Sequence, residues 1–163
     1  MHHMTMHDVI KTVTNAEEEE IKRIWEIGAS DRMPSVAHLL KLPDDLQDVI
    51  EELYKKYKLA VVTSRIKGKI FVAGLAPYKK YFQLSVAYQD TKNHKPHPEP
   101  LLVACEKLEL LPSEAVYVGD METDIIAAKA AGMKLITYSN QIYKNAEAYT
   151  ASFKKLAEII QML

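Results

Sequence analysis

The sequence lacks the features that mark secreted, membrane-spanning or nucleic-acid-binding proteins. Its only cysteine, Cys105, excludes a disulfide within the chain and fits a reducing cytoplasm. No apolar run reaches the ~20 residues that a membrane helix needs, and the N-terminus has no signal-peptide core. The formal net charge is −1, and the lysines and arginines form no stripe. We therefore expect a cytoplasmic protein with no membrane or nucleic-acid partner.

Internal repeats and low-complexity linkers are also absent, and a chain of 163 residues suits a single hydrophobic core. Near the N-terminus, Thr5 and Thr14 each stand three positions before an acidic residue. This is the spacing of a capping box, and it predicts two short helices, the second ending at Gly28. Residues 33–42 fit a further short helix.

From Pro43 onward, the pattern of apolar residues alternates between helix and strand. Pro43 opens an amphipathic helix, and apolar runs predict strands over residues 59–63, 84–88, 115–118 and 133–137. Helical patterns cover residues 66–75, 98–108, 123–131 and the C-terminal segment 153–163. The alternation predicts an α/β fold with a Rossmann-like, mainly parallel sheet and flanking helices. Functional sites of such sheets form beyond the carboxyl ends of the strands.

Two acidic residues follow the third predicted strand. Asp120 comes directly after Gly119, and Asp124 lies one helical turn further on. Carboxylates so placed converge on one cation, and Mg²⁺ prefers few carboxylates together with waters and a substrate phosphate. The alternatives are a surface turn with two acidic residues, or an aspartate that caps the next helix. We favour a divalent-metal site at Asp120 and Asp124, with Glu122 facing solvent.

Two further sets of polar residues follow predicted strands. Lys95 precedes two prolines that stiffen its loop, and its ammonium group would neutralise a phosphate as a compact charge. Thr63 and Ser64 end the first predicted strand, where a hydroxyl and exposed N–H groups bind phosphate oxygens. A surface lysine and an ordinary strand end are the alternatives. Together with the acidic pair, these residues indicate a phosphoryl-transfer site.

The strings LAVVTSR, KPHPEPLLVACEKL and AVYVGDMETDIIAAKAAGMKLI, in this order, resemble the haloacid dehalogenase superfamily, and most of all its phosphoglycolate-phosphatase-type members. The resemblance implies a Mg²⁺-dependent hydrolase that acts on a small phosphorylated metabolite. It implies that Thr63 binds the transferring phosphoryl group and that Lys95 neutralises it, which makes these two the expected catalytic residues. It also implies that Asp120 holds Mg²⁺ directly, while Asp124 assists or binds through water.

One family feature is missing from the sequence. Members begin with an apolar strand ending in Asp-x-Asp-x-Thr, in which the first Asp is the nucleophile and the second is the acid and base. No such string occurs in this chain. The nearest match runs from Asp8 to Thr12 but has Ile10 in the acid/base position, and the capping-box spacing makes Asp8 a helix residue. Residues 5–42 instead resemble a partial helical cap, followed by an α/β core over residues 43–163.

The missing strand lies at the centre of the sheet in the family, so we expect a gap between the strands that end at Thr63 and Val118. Three outcomes are open. The chain is an incomplete copy of a longer enzyme, a partner or a second copy supplies the strand, or residues 9–14 fill the gap. The expected function is phosphomonoester hydrolysis, with this chain truncated or inactive. The alternative is a non-catalytic module that retains metal or phosphate binding or acts through a partner.

Overall fold

The structure, a computed structural model, describes residues 6–29, 41–66, 68, 70–71, 74–140, 143 and 146–163. The chain divides into two compact units, Met1–Leu40 and Lys41–Leu163. The short helix expected over residues 33–42 falls almost wholly outside the described residues. No helix in the described part is long and apolar enough to pass through a bilayer.

The described part of the first unit forms helices α1 (Met6–Thr14) and α2 (Glu18–Ala29). The hydroxyl of Thr14 donates to the carbonyl of Ile10 at 2.7 Å, so it belongs to the end of α1 rather than to the cap of α2. Helix α2 also continues past Gly28, where we expected it to stop. An isolated glycine costs a helix only about 1 kcal/mol, and the neighbouring residues outweigh this.

The second unit begins with helix α3 (Leu46–Tyr54) and then alternates strand and helix. The strands are β1 (Ala60–Val62), β2 (Leu84–Val86), β3 (Val116–Gly119), β4 (Lys134–Tyr138) and β5 (Ala148–Thr150). The later helices are α4 (Glu99–Leu108), α5 (Glu122–Ala131) and α6 (Phe153–Met162). Short 3-10 helices cover Ala76–Tyr81, Tyr88–Asp90 and Pro112–Glu114. The predicted α/β fold is confirmed.

Three local predictions differ from the structure. The α-helix expected over residues 66–75 is wrong for the residues described there, because Gly74 takes a left-handed φ of 78° and a 3-10 helix follows at Ala76. Helix α3 begins at Leu46 rather than at Pro43. Strand β5 was not predicted, since its three residues are too few to show a period.

All strand pairs are parallel, but they fall into two separate sheets. Val61 lies opposite Ser85 in the β1–β2 pair, and Val118 lies opposite Ile136 where β3 pairs with β4. Strand β5 extends the second sheet from β4. Within the described residues, β1 pairs with β2 alone and β3 pairs with β4 alone. The expected gap between β1 and β3 is therefore present, and residues 9–14 remain in helix α1 instead of filling it.

A cavity of about 880 Å³ occupies this gap. Its lining includes Ala60, Val61 and Val62 of β1, Val116, Tyr117 and Val118 of β3, and apolar residues of helices α3, α4 and α6. Both strands are only partly buried, whereas Leu135 and Ile136 of β4 are 1% and 0% exposed. Strands of a parallel sheet are normally covered on both faces. The incomplete burial of β1 and β3 thus follows from the gap.

Candidate functional site

Lys95 and Asp124 form an ion pair beyond the carboxyl end of strand β3. Lys95 comes from the loop between β2 and α4, and Asp124 comes from the first turn of α5. The Nζ atom of Lys95 lies 2.6 Å from Oδ1 of Asp124, and the two side chains are 13% and 4% exposed. A charge-assisted bond of this length in a sheltered position is stronger than a surface ion pair. The structure therefore brings together two of the residues that the sequence singled out.

Four donors hold the carboxylate of Asp124. Lys95 and the hydroxyl of Tyr117 donate to Oδ1, at 2.6 and 3.0 Å. The backbone N–H groups of Asp120 and Met121 donate to Oδ2, at 3.1 and 3.0 Å. Asp124 is the third residue of helix α5 and accepts from the N–H of the N-cap residue Met121, as the acidic member of a capping box does, while it also pairs with Lys95.

The carboxylate of Asp124 lies directly against Gly119. A Cβ atom placed on Gly119 would lie 2.4 Å from Cβ and 2.6 Å from Cγ of Asp124. Real Cβ atoms essentially never make contacts so short. The crowded Cβ and Cγ atoms of Asp124 lie close to its backbone, so they cannot move aside as the far end of a flexible side chain could. Gly119 is therefore required for Asp124 to fold back over the turn and accept the two N–H groups.

The pKa of Asp124 is set by two opposing effects. Burial on its own would raise the pKa of this carboxyl, but the charge and hydrogen bond of Lys95 and the N–H groups of Met121 and Asp120 hold it below its usual value. Asp124 consequently stays ionised and keeps a negative charge beside the ammonium group of Lys95.

Tyr117 completes this cluster, and sequence reasoning missed it. Its hydroxyl accepts from Nζ of Lys95 at 2.9 Å and donates to Asp124. Burial, followed by the charge of Asp124 and the hydrogen bond to it, raises the pKa of Tyr117 far above the usual range, so the phenol stays protonated. A signal was available, because alternation along β3 puts Tyr117 on the same face as Gly119, against which Asp124 lies.

Asp120 is exposed, in contrast to Asp124, and so is Glu122, as expected. The described residues contain no group of three or more His, Cys, Asp or Glu side chains placed to hold a metal ion. Asp120 and Glu122 thus carry the carboxylates of this turn that are open to a ligand, while both oxygens of Asp124 already accept hydrogen bonds.

Thr63 and Ser64 lie where expected, directly after strand β1. The N–H group of Thr63 donates to Val86 at 2.9 Å, and its hydroxyl accepts from the N–H of Arg65 at 3.2 Å. In the part of the chain that the structure describes, no hydrogen bond joins Thr63 to Lys95 or to Asp124. The gap between the sheets separates the strand that carries Thr63 from the Lys95–Asp124 cluster.

The profile of haloacid dehalogenase-like hydrolases matches residues 1–138 of this chain. The chain belongs to this family. The resemblance stated from the three sequence strings is therefore confirmed, and it now extends over the first unit as well as most of the second.

The curated relatives of this haloacid dehalogenase-like protein include pyrophosphatases. The pyrophosphatase PpaX of Bacillus thuringiensis is 27% identical over 165 residues, which cover 98% of this chain and 75% of the relative. The putative pyrophosphatase PpaX of Caldanaerobacter subterraneus is 37% identical over 99 residues, or 59% of this chain and 44% of the relative.

Solved structures share the fold. A putative phosphoglycolate phosphatase from Lactobacillus plantarum gives a TM-score of 0.81 at 22% identity, covering 96% of this chain and 77% of that one. CbbY from Rhodobacter sphaeroides, solved in complex with phosphate, gives a TM-score of 0.77 at 21% identity, covering 94% of this chain and 76% of that one. At these identities the likeness establishes the fold and nothing finer.

Proposed function

We propose that this chain carries the phosphate- and Mg²⁺-binding side of a hydrolase of small phosphomonoesters, of the phosphoglycolate type. We also propose that the chain alone does not turn substrate over at an enzymatic rate. The observation that carries the proposal is the Lys95–Asp124 pair beyond the end of β3, in which Asp124 is buried and Lys95 is partly buried. Membership of the haloacid dehalogenase-like hydrolases and relatives that are pyrophosphatases support a phosphorylated small molecule as the substrate class.

Lys95 is the proposed phosphate ligand. An ammonium group carries three N–H donors, and two of those on Lys95 go to Tyr117 and Asp124. Among the residues that the structure describes, the third donor has no partner and is open to a phosphate oxygen. Asp124 and Tyr117 hold the ammonium group in place, so little side-chain freedom is lost when phosphate binds.

Mg²⁺ fits the hard oxygen donors of this turn. It is bound in proteins by one or two carboxylates, waters and substrate phosphate, and Asp120 supplies one exposed carboxylate. Because both oxygens of Asp124 already accept hydrogen bonds, we propose that Asp120 holds the ion directly and that Asp124 acts through water. When bound, Mg²⁺ would stabilise the negative charge of the phosphoryl group.

Thr63 and Ser64 are proposed to contact the phosphate from the end of β1 through a hydroxyl and N–H groups. Ser64 is exposed and Thr63 is partly buried, so both are open to a ligand. Residues 5–42 are proposed to be a partial helical cap, whose described helices are α1 and α2.

A non-catalytic module that binds phosphate or metal is the second candidate. The observation that favours it is the absence of any Asp-x-Asp-x-Thr string from the sequence. Loss of general acid–base catalysis alone lowers a rate by roughly 10²–10⁴-fold, and loss of the nucleophile adds to this.

The test combines phosphate binding with turnover. Binding is followed by the ³¹P NMR line width of orthophosphate with and without Mg²⁺, and hydrolysis by release of product from p-nitrophenyl phosphate and phosphoglycolate. We expect Mg²⁺-dependent binding that weakens about tenfold or more in Lys95→Gln, with Lys92→Gln, an exposed lysine of the same loop, as the unchanged control. We expect hydrolysis at the background rate. Absence of phosphate binding would refute the proposal, and robust turnover that is lost in Asp8→Asn would make Asp8 the nucleophile.

A further inference from the structure

We propose that Glu99 is a positioning residue for Lys95, the proposed phosphate ligand. Its carboxylate ties the loop that carries Lys95 to the first turn of α4, so that the backbone at Lys95 is fixed as well as its ammonium group. This loop, here called the lysine loop, comprises residues 91–98, between the 3-10 helix Tyr88–Asp90 and α4. The inference rests on the proposed function, because Glu99 acts on phosphate only through Lys95.

The carboxylate of Glu99 accepts three hydrogen bonds from the start of the lysine loop. Oε1 accepts from the backbone N–H of Lys92 at 2.9 Å. Oε2 accepts from the backbone N–H of Asn93 at 3.0 Å and from the side-chain amide of the same residue at 2.7 Å. One carboxylate thus bridges two successive backbone N–H groups. Hydrogen bonds to an ionised acceptor are shorter and stronger than those between neutral groups.

The ionisation of Glu99 follows from these contacts. The backbone N–H of Lys92, followed by the side-chain amide and the N–H of Asn93, holds the pKa of Glu99 below its usual value, although burial opposes this. Glu99 therefore carries a negative charge at neutral pH. Loss of that charge would weaken all three hydrogen bonds to the lysine loop at once.

Helix α4 gives Glu99 a fixed position. Glu99 is the first residue of α4, the next residue, Pro100, is buried, and the helix packs against β1, β2 and α5. The N-cap residue Pro98 has no N–H group to donate to the carboxylate. A favourable charge at a helix N-terminus requires no bonds to a preceding loop. The three bonds to Lys92 and Asn93 are therefore a separate feature, which ties the loop to the helix.

Lys95 lies between the two parts of the chain that this contact joins. Asn93 precedes it in the lysine loop and Glu99 follows it. Within this interval the N–H of His97 donates to the carbonyl of His94 at 2.8 Å, and the N–H of Glu99 donates to Nδ1 of His97 at 3.2 Å. The backbone on both sides of Lys95 is thus held by hydrogen bonds.

Fixing the backbone at Lys95 lowers the entropy cost of phosphate binding. A lysine side chain loses much rotamer freedom when it is immobilised, and Asp124 and Tyr117 hold only its ammonium end. Glu99 restricts the other end before any ligand arrives. The N–H donor of Lys95 that has no partner in the described part of the chain then keeps a constant direction, which is the preorganisation that favours binding.

The first experiment follows the ammonium group of Lys95 without phosphate. In the ¹⁵N-labelled whole protein, the NH₃⁺ signal of Lys95 is the one that is absent from Lys95→Gln. Its order parameter and its rate of proton exchange with water are compared in the wild type, Glu99→Gln and Glu106→Gln. Glu106 is an exposed acid of the same helix, so Glu106→Gln is the matched control. We expect Glu99→Gln to speed exchange about threefold or more and to lower the order parameter, and Glu106→Gln to change neither.

The second experiment measures the affinity for orthophosphate in the presence of Mg²⁺ by ³¹P NMR line width. Glu99→Gln should bind about fivefold more weakly than the wild type. In the Lys95→Gln background the same substitution should have no further effect, because Glu99 acts through Lys95. A purely structural role would lower the melting temperature and leave the ammonium signal of Lys95 unchanged.

A milder variant keeps the test valid if Glu99→Gln does not fold, which far-UV circular dichroism checks. Asn93→Ala removes one of the three hydrogen bonds and leaves the carboxylate in place, so it should change the Lys95 signal in the same direction by a smaller amount. An unchanged signal in folded Glu99→Gln, or in Asn93→Ala if the former does not fold, would overturn the proposal.

Two outcomes separate this inference from the proposed function. Equal losses of phosphate affinity from Glu99→Gln with and without Lys95 would overturn the positioning role, because Glu99 would then act independently of Lys95. A wild type that binds no phosphate, but whose Lys95 signal responds to Glu99→Gln, would refute the phosphate site and support the role of Glu99 in positioning Lys95.

Discussion

The Nζ atom of Lys95 lies 2.6 Å from Oδ1 of Asp124, although the two residues are 29 positions apart in the sequence. The first follows β2 and the second follows β3, so the fold of the second unit, not local sequence, joins them. The pair is sheltered from water, and Asp124 also accepts from the backbone N–H groups of Asp120 and Met121, the two residues before helix α5. One carboxylate therefore links the stability of a helix terminus to the position of the proposed phosphate ligand.

Removing the charge of one partner of this ion pair should destabilise the second unit. In Asp124→Asn, the partly buried ammonium of Lys95 loses its counter-ion, and we expect a loss of about 3 kcal/mol in the free energy of unfolding, the lower end of the cost of removing one partner of a buried pair. Urea denaturation of the wild type and of the variant measures this loss.

The double variant Lys95→Met/Asp124→Asn tests the coupling. It removes the charge as well as its partner, so it should be clearly less destabilised than the sum of the two single variants. Strict additivity of the two single changes would contradict a direct interaction between these side chains.

Acid should remove the contribution of Asp124. Because the pKa of Asp124 is lowered in the folded protein, its stabilising effect is fully present above the ordinary aspartate value of about 3.9 and is lost as pH falls through the folded value. The melting temperature should therefore fall below about pH 4, with a smaller fall in Asp124→Asn. Glu122→Gln, which changes an exposed acid in the same turn, should keep the wild-type profile. An unchanged profile in Asp124→Asn would remove Asp124 from the acid response.

Gly119→Ala should be destabilising although it only adds a methyl group. The new Cβ would lie 2.4 Å from Cβ of Asp124, so the carboxylate must leave the N–H groups of Asp120 and Met121. We expect a cost of about 1–3 kcal/mol, the range for overpacked sites. Gly68→Ala is the matched control, since a Cβ there meets nothing within 4 Å. Equal melting temperatures for the two variants would show that Gly119 tolerates a side chain.

Mg²⁺ should stabilise the protein through Asp120. A ligand that binds only the folded state raises the melting temperature with concentration, and we expect this effect at millimolar Mg²⁺. Asp120→Asn should lose it and Glu122→Gln should keep it. Identical Mg²⁺ responses in the wild type and Asp120→Asn would exclude Asp120 as a ligand.

Tyr117→Phe should remove two hydrogen bonds from the Lys95–Asp124–Tyr117 cluster while leaving the ion pair in place. The hydroxyl bridges Lys95 and Asp124, and its removal should cost about 1–2 kcal/mol of stability, the range for a buried hydrogen bond. In an alkaline titration followed by tyrosine absorbance, the wild type should retain one phenol that ionises only on unfolding, because the pKa of Tyr117 is strongly raised. The variant should lack this resistant phenol.

The sequence by itself determined the elements with a clear period and the residues at their ends. The runs that became β1, β3 and β4 were visible as apolar segments, and Gly132 ends helix α5 with a left-handed φ of 73°. The gap beside β1, in contrast, was expected from the resemblance to the family, whose first strand has no match in this chain. The elements and their ends are local features, because each depends on a few neighbouring residues.

Only the tertiary structure decided which polar groups meet. It joined Lys95 to Asp124, added Tyr117 to the pair, left Asp120 exposed, and kept Thr63 without a hydrogen bond to the cluster in the part of the chain described. It also left a cavity of about 880 Å³ between β1 and β3. Such features depend on the packing of helices and strands that are distant in sequence. The free energy of a buried charge or an open strand edge depends on its surroundings, which no local pattern of residues contains.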